Sequence, residues 1–236
     1  MISSIPKWAG DLVEGLMAPK LRVGKISFIS PHLRKIRFQG QIGHMNFQIG
    51  YASVIRVSET EYRNYTVAYH DVKEGIMDFV FHLHGNGIGS SVIDALKIGD
   101  ELFITGPRGR KAYNPAIKRY LIFGDETSLG LACAFLPVLQ QNHHLFQFYF
   151  ELDEGNNNAP AMLGLENYTV FPKDGSFRNG EWVSRLPVFT QPDWNKVRFV
   201  LTGNVKSVQT LRKVVKNKAW GKASHQGYWL EGKKGL

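Results

Sequence analysis

Apolar and polar residues alternate in short runs over the first half of the chain, a pattern typical of strands with one buried face. Glycines, prolines and charged turns separate the runs, which predict strands at residues 21–29, 33–38, 52–57, 65–69, 76–82 and 101–105. A helix is predicted at Ser90–Leu96, where serines are placed to cap its start. Six short strands at this spacing favour a closed, six-stranded antiparallel Greek-key barrel.

The pattern changes after Gly106–Arg110, where strands begin to alternate with helices. Strands are predicted at 120–123, 145–152 and 197–201, and helices at 129–141 and 206–216. This alternation indicates a parallel-sheet α/β domain, a class that binds ligands beyond the carboxyl ends of its strands. The fold class is therefore β followed by α/β, with domains expected at 18–112 and 113–236. A short N-terminal helix is also expected within Pro6–Met17.

The composition, 43% hydrophobic and 21% charged, is that of a chain that folds around a core. No apolar run approaches the roughly 18 residues of a membrane-spanning helix, and the N-terminus lacks a signal-peptide pattern, so a cytoplasmic location is expected. Cys133 is the single cysteine, and its apolar surroundings predict a buried structural thiol. Since no Cys/His spacing of a metal site is present, we expect no protein-bound metal, and redox chemistry would require a bound cofactor.

The formal charge of +9 predicts a surface that attracts anions. Charge alone leaves nucleic acid, lipid headgroups and a small acidic substrate open as partners. The basic residues are densest at Lys206–Lys222 and Lys233–Lys234, and these groups can equally be solvated surface.

The segment Arg63–Thr66 opens a predicted strand, so Arg63, Tyr65 and Val67 are expected to share one face. An arginine can neutralise phosphate, a tyrosine ring can stack on an aromatic cofactor, and a threonine can hydrogen-bond a flavin ring. Taken alone, the tetrapeptide is also compatible with an ordinary exposed strand.

The glycine-rich segment Gly85–Ser91 comes directly before the predicted helix. Its unhindered backbone can approach a diphosphate, while free amides and the helix dipole face the negative charge. A turn that merely reverses the chain would have a similar composition, so the segment is a candidate anion site rather than a proven one.

The segment Gly124–Ser128 follows the first strand of the α/β half. Such folds receive the pyrophosphate of a nicotinamide cofactor at this place. Asp125 and Thr127 can equally be helix caps. Gly203–Asn204, at the end of another predicted strand, is a second candidate for the same crevice.

Taken in order, these segments resemble the siderophore-interacting protein family, FAD-dependent ferric-siderophore reductases among the ferredoxin-reductase-like flavoproteins. The family's Arg-x-Tyr-Thr-x-Arg is similar to Arg63–Ala68, and its His-Gly-x-Gly-Pro-Ala-Ser-x-Trp to His84–Val92. Its Gly-Pro-Arg-Gly matches Gly106–Gly109, its Gly-Asp-Glu-Thr-Ala/Ser matches Gly124–Ser128, and its terminal Gly-Tyr-Trp resembles Gly227–Trp229. The likeness spans about residues 18–232.

The resemblance implies an FAD-binding barrel at 18–112 and an NAD(P)-binding-type α/β domain at 113–236. It implies electron transfer from NADPH, NADH or a ferredoxin, through FAD, to iron(III) held by a siderophore, with iron(II) released in the cytoplasm. The cofactor-binding residues are then expected to be Arg63, Asn64, Tyr65, Thr66, Val67, His82, His84, Gly87, Ile88, Gly89, Ser90, Ser91, Asp125, Thr127 and Ser128. No protein acid or base is required as a catalytic residue. Lys206, Arg212 and Lys233 are candidate contacts for an anionic ferric chelate.

Three positions depart from the family's pattern. Ala68 and Leu230 stand where the family has arginine, and Val92 stands where it has tryptophan. Ala68 and Val92 belong to the segments expected to bind FAD, so we expect a cofactor site that is completed by other residues. Leu230 belongs to the crevice expected to receive the reductant or the substrate. A flavin or ferredoxin reductase with a non-siderophore acceptor and a non-catalytic basic anion-binding protein remain alternatives. Neither nucleic acid nor a membrane is expected as a partner.

Overall fold

The computed structural model of the chain describes residues 6–8, 11, 19–85, 87–218 and 220–233. Two compact units divide the chain, Met1–Lys111 and Ala112–Lys234. Most of the helix predicted within Pro6–Met17 lies outside the described residues. Among the helices that are described, none has both the length and the apolar character needed to cross a membrane.

Unit 1 contains six antiparallel strands and one described helix longer than a turn. These are β1 (Lys20–Ser30), β2 (Leu33–Gln39), β3 (Ala52–Arg56), β4 (Tyr62–Asp71), β5 (Ile76–His82), α1 (Ile88–Ala95) and β6 (Glu101–Phe103). The strand order is β3-β4-β5-β2-β1-β6. An isolated bridge between Ile55 and Ile104 joins the two ends of this sheet, so that the barrel is nearly closed. The predicted six-stranded antiparallel barrel is confirmed.

The alternation in the sequence places one face of each strand in the barrel core. On β2, Ile36 and Phe38 are almost fully buried, whereas Arg37 between them lies on the outer face and pairs with Asp78. The rings of Phe38 and Phe79 meet edge to face at a centroid distance of 5.9 Å. Each such buried side chain contributes roughly 1.5–3 kcal/mol, so the buried face of the alternating pattern is the main favourable contribution to folding of the barrel.

Two details of unit 1 differ from the sequence prediction. The pairing of β4 with β5 shifts between Val67 and Tyr69, so Ala68 is an extra residue in a β-bulge and both Val67 and Ala68 are buried. The prediction that serines cap α1 is wrong: the helix begins at Ile88, and its N-cap is Gly87, which has no side-chain cap. A glycine cap has no side chain to identify it in a sequence.

Unit 2 is a five-stranded parallel sheet with helices. Its elements are β7 (Arg119–Gly124), α2 (Leu129–Gln141), β8 (Leu145–Leu152), α3 (Ala159–Met162), β9 (Tyr168–Pro172), α4 (Gly180–Ser184), β10 (Val197–Asn204), α5 (Val205–Asn217) and β11 (Gly221–Trp229). The strand order is β11-β10-β7-β8-β9, and every pairing is parallel. The predicted α/β domain is confirmed, while Cys133 on α2 is half-buried rather than buried.

The chain leaves β7 toward β8 on one side of the sheet and returns to β10 on the other. The carboxyl ends of β7 and β10 therefore form the switch point at which parallel α/β sheets open a crevice. Asp125 follows β7, and Asn204 ends β10. The topology thus brings the two candidate segments of unit 2 to one place.

Candidate functional site

Strand β4 and helix α1 meet at Gly89. A Cβ atom built on this glycine would lie 2.9 Å from the Tyr65 hydroxyl oxygen and 3.3 Å from Cγ of Arg63. Real side chains do not tolerate the first distance, so this close approach requires a glycine. The structure therefore brings the Arg-x-Tyr-Thr strand and the glycine-rich segment together, as a common cofactor site requires.

The Tyr65 hydroxyl is a donor held in a poorly hydrated place. Its ring packs edge to face on Phe81, at a centroid distance of 4.6 Å. Burial raises the pKa of Tyr65 to about 12, although the nearby Arg63 charge acts in the opposite direction. The hydroxyl is thus neutral at physiological pH and keeps its proton. It can donate to an acceptor on a bound ligand.

Arg63 lies half-buried beside this tyrosine. Its guanidinium donates to the Tyr62 carbonyl at 2.9 Å and reaches Glu61 Oε1 at 3.4 Å. Because guanidinium carries five N–H donors, some remain for a phosphate or ring oxygen. On the same strand Asn64 is exposed and Val67 belongs to the barrel core, so these two predicted site residues do not share the position of Arg63.

The N-terminus of α1 is open to an anion. Gly87 offers no side-chain cap, and the first turn contains no acidic residue. The first amides of a helix lack intrahelical acceptors and carry the positive end of its dipole. Ser90 is buried and its Oγ accepts from the His84 amide at 3.2 Å, which fixes the entry of the chain into the helix.

Gly87 itself lies against a histidine. A Cβ on Gly87 would lie 2.6 Å from Cε1 of His84, so the imidazole covers the loop closely. The His82 ring lies 6.0 Å from that of His84, and Ser91 Oγ donates to the Gly87 carbonyl at 3.4 Å. Together with exposed Ile88, the loop residues predicted from sequence thus cluster at the start of α1.

The donors around α1 fit the chemistry of FAD. An uncapped helix end and Arg63 suit a diphosphate, and a neutral Tyr65 hydroxyl suits an oxygen or nitrogen of the ring or its ribityl chain. Ala68, in the bulge, is only 1% exposed, and Val92 is half-buried. Neither can offer the charge or the large ring that the family pattern has there, so Arg63 carries the positive charge on this strand.

In unit 2, Asp125 is the centre of a buried network. Its carboxylate accepts from the Thr127 amide and hydroxyl, from the Asn204 amide at 2.9 Å and from Trp229 Nε1 at 2.6 Å. Burial raises the pKa of Asp125, and the hydrogen bonds from Thr127 and Trp229 offset part of that rise. Asp125 thus acts as a cap, the alternative that the sequence left open, and it joins three separate segments.

Gly203 makes this network sterically feasible. Its φ of +98° is in the left-handed region, and a Cβ there would lie 2.6 Å from Asp125 Oδ2. The next residue, Asn204, caps α5 by accepting from the Lys206 amide at 2.9 Å. Its Nδ2 is buried without a partner among the described residues.

Two further carboxyl groups are buried beside Asp125. Glu126 accepts from the Asp153 amide, Asn156 Nδ2 and the Lys173 ammonium group. Burial raises the pKa of Glu126, but the charge and hydrogen bond of Lys173, together with the hydrogen bonds from Asp153 and Asn156, outweigh burial and lower the pKa. Glu151 accepts from Ser207 Oγ at 2.8 Å, and burial raises its pKa.

Sequence reasoning missed Glu126, Glu151 and Lys173 because their hydrogen-bond partners lie far along the chain. The one available signal was the acidic pair in Gly124–Ser128, which is unusual beside a candidate phosphate site. Ser128 is buried and bonded to Thr202 Oγ1 at 2.9 Å, and only Thr127 of the three predicted residues there is half-exposed.

The tie between Trp229 and Asp125 gives a testable stability effect. Trp229→Phe removes a donor to a buried carboxyl, and we expect the free energy of unfolding to fall by about 1.5–3 kcal/mol. Trp220→Phe is the matched control because Trp220 Nε1 is buried with no partner among the described residues, so this variant is expected to lose only ring packing and no hydrogen bond. Urea unfolding of both variants measures the difference. Equal destabilisation would contradict the role of the Trp229 bond.

The three predicted substrate contacts do not form one cluster. Lys206 and Arg212 are six positions apart on α5, which places them on different faces of the helix. Lys206 Nζ lies 3.7 Å from Glu231, and Lys233 is exposed in the turn after β11. Their role in binding a chelate therefore stays a prediction.

Part of the chain matches a known family of oxidoreductases. Residues 20–113 match the oxidoreductase FAD-binding domain family. This match supports FAD as the cofactor of unit 1, and the antiparallel barrel followed by a parallel α/β sheet is a ferredoxin-reductase-like fold.

Among solved structures, a siderophore utilization protein from T. fusca superposes with a TM-score of 0.74 at 22% identity, covering 93% of this chain and 95% of that one. The siderophore-interacting protein SipS from Aeromonas hydrophila superposes with a TM-score of 0.70 at 19% identity, covering 92% and 93%. The expected likeness to siderophore-interacting proteins is confirmed at the level of the fold.

A relative in sequence is NADH-cytochrome b5 reductase 1 of Mycosarcoma maydis, 35% identical over 63 residues. The aligned stretch is 27% of this chain and 19% of that protein. The similarity is therefore limited to one segment of this chain and a small part of that protein.

Proposed function

We propose that this chain is an FAD-dependent reductase that passes electrons from NADPH or NADH to iron(III) held by a siderophore and releases iron(II). The observation that carries the proposal is the meeting of Arg63 and Tyr65 with Gly89 at an uncapped helix end. The fold shared with two siderophore proteins supports the choice of acceptor. Bound FAD would supply the conversion between a hydride donor and a one-electron acceptor.

In this proposal the residues of unit 1 hold and orient the cofactor. The segment His84–Ser91 binds the diphosphate through backbone amides, and Arg63 adds a positive charge. Tyr65 and Thr66 hydrogen-bond the flavin and its ribityl chain. His82 stands beside His84 and restricts the same loop. Because each group is held by the barrel, binding costs little reorganisation.

In unit 2 we propose that the switch point receives the pyridine nucleotide. Asp125 and Ser128 position this crevice from within, since both are buried and bonded to the chain. Thr127 is the half-exposed member and the proposed direct contact. A ferredoxin as donor is the alternative that the family resemblance leaves open.

The acceptor is proposed to be an anionic chelate, which the net charge of +9 would concentrate near the protein. Lys206, Arg212 and Lys233 are proposed to contribute to this attraction. No residue needs to act as an acid or base toward iron, so the protein's task is to hold the reacting groups in position.

Comparison of acceptors tests the proposal. Protein loaded with FAD is mixed with NADH or NADPH and with a ferric siderophore, free flavin or a ferredoxin, and the initial rates are compared. We expect the ferric siderophore to give the highest kcat/KM. A higher kcat/KM with free flavin or ferredoxin would instead identify a general flavin or ferredoxin reductase.

A further inference from the structure

A groove in unit 2 runs between α4 and α5 and has a volume of about 460 Å³. Its lining includes three cations and three neutral polar residues: Arg178, Lys213 and Lys218, with Ser184, Thr210 and Asn217. No carboxylate is among the described residues that line it. The groove is not part of the flavin site proposed above, whose residues around α1 belong to unit 1.

The helical period of α5 places three of the groove residues on one flank of the helix. Val208, Leu211 and Val215 face the core, whereas Thr210, Lys213 and Asn217 follow each other at spacings of three and four along one flank. That flank faces α4 and lines the groove. Arg212 and Lys216 are equally exposed but do not line the groove.

The groove carries positive charge that is poorly compensated. The described residues contain no ion-pair partner for Lys213 or Lys218, and Arg178 has one, Glu231, at 2.8 Å. From Val205 to Leu230 the sequence has six lysines and arginines and no acidic residue. Cations that converge without counter-charge repel one another, so an anion bound between them is stabilised by all of them.

The volume of the groove and the hydrogen-bond donors that line it indicate the class of ligand. A volume of about 460 Å³ lies within the range of small-molecule sites and exceeds the needs of a single small ion. Lysine ammonium groups bind phosphate and carboxylate as point charges, and an arginine binds them through its planar fork. The Asn217 amide adds a neutral donor at the same flank.

We propose that this groove binds a small molecule that carries two or more phosphate or carboxylate groups. A small ligand is favoured over an acidic protein surface because the groove is concave, whereas Arg212 and Lys216 lie outside it and would be equally available to a protein.

Calorimetric titration with pyrophosphate, with citrate and, as a reference with a single phosphate group, with inorganic phosphate at physiological salt tests the proposal. The double variant Lys213→Gln/Lys218→Gln removes two groove cations, and we expect binding to weaken at least ~10-fold, because charge-assisted hydrogen bonds are the strong ones. The matched control Lys216→Gln/Lys222→Gln removes the same charge from two exposed lysines outside the groove. Its affinity is expected to stay within about twofold of the wild type.

Tighter binding of pyrophosphate than citrate, or the reverse, identifies phosphate or carboxylate as the recognised group, and either result supports the site. Equal loss of affinity in both double variants would show that the anions are attracted diffusely by the basic surface, and would overturn the proposed site. Absence of binding of both probes to the wild type at millimolar concentration, or equal affinity for phosphate and pyrophosphate, would also overturn it. Circular dichroism and FAD titration of each variant show that the fold and flavin site are intact.

Discussion

Replacing Lys173 with methionine is expected to lower the free energy of unfolding by about 3–5 kcal/mol at neutral pH. The Lys173 ammonium group bonds the Glu126 carboxylate, whose side chain is 0% exposed, and lies 3.1 Å from Asp153. Removal of the cation leaves a buried carboxylate with only neutral donors. Denaturant unfolding measures the loss. The control Lys222→Met changes an exposed lysine on the edge strand β11 and is expected to stay within about 0.5 kcal/mol of the wild type.

The same variant should change the dependence of stability on pH. In the wild type, the pKa of Glu126 is lowered in the folded state, so this stabilisation is present above the ordinary value of 4.5 and is lost as pH falls through the folded value. Without Lys173, burial would raise that pKa and protonation would relieve the unpaired charge. The stability deficit of the variant should therefore shrink as pH falls below neutrality toward 4.5 and beyond. A stability deficit that stays constant over this pH range would contradict the stabilising ion pair between Lys173 and Glu126.

Gly89→Ala is expected to weaken FAD binding by roughly 5- to 150-fold, the equivalent of about 1–3 kcal/mol of overpacking. The added methyl would lie 2.9 Å from the Tyr65 hydroxyl, so the ring or the start of α1 must shift, and both are proposed to hold the cofactor. Alanine also favours a helix more than glycine does, which helps the variant to fold. Titration with FAD, followed by flavin fluorescence, measures the affinity.

Gly43→Ala is the matched control in the same unit, because a Cβ at Gly43 would meet nothing within 4 Å. Its FAD affinity is expected to stay within about twofold of the wild type. If Gly89→Ala bound FAD as tightly as this control, the contact between Tyr65 and Gly89 would lie outside the cofactor site.

The fold was predictable where burial follows a simple period. The alternation of apolar and polar residues predicted the six strands of the barrel. The apolar helix Leu129–Gln141 also has the predicted bounds, with Pro137 inside it. The strands β9 and β11 were not predicted, because both are edge strands in which few residues are fully buried. Edge strands carry a weak hydrophobic pattern, and their place is set by pairing with the rest of the sheet.

The candidate site was predictable to the extent that it is local. The glycine segment and the arginine–tyrosine strand could be found from residue types, and their meeting at Gly89 required the structure. The bulge at Ala68 could not be predicted, since an alanine in a strand gives no sign of an extra residue. The Asp125 network depends on Asn204 and Trp229, 79 and 104 positions away, and such distant contacts leave no spacing to detect.

An anaerobic reaction in two steps tests the central claim most directly. Purified protein is saturated with FAD and freed of excess, NADH or NADPH is added until the visible flavin absorption is lost, and a ferric siderophore is then added. We expect bleaching by a pyridine nucleotide, and then return of the flavin absorption with formation of iron(II), detected by a ferrous chelator. A protein that retains no FAD, or a reduced flavin that the ferric siderophore leaves bleached, would contradict the proposed function.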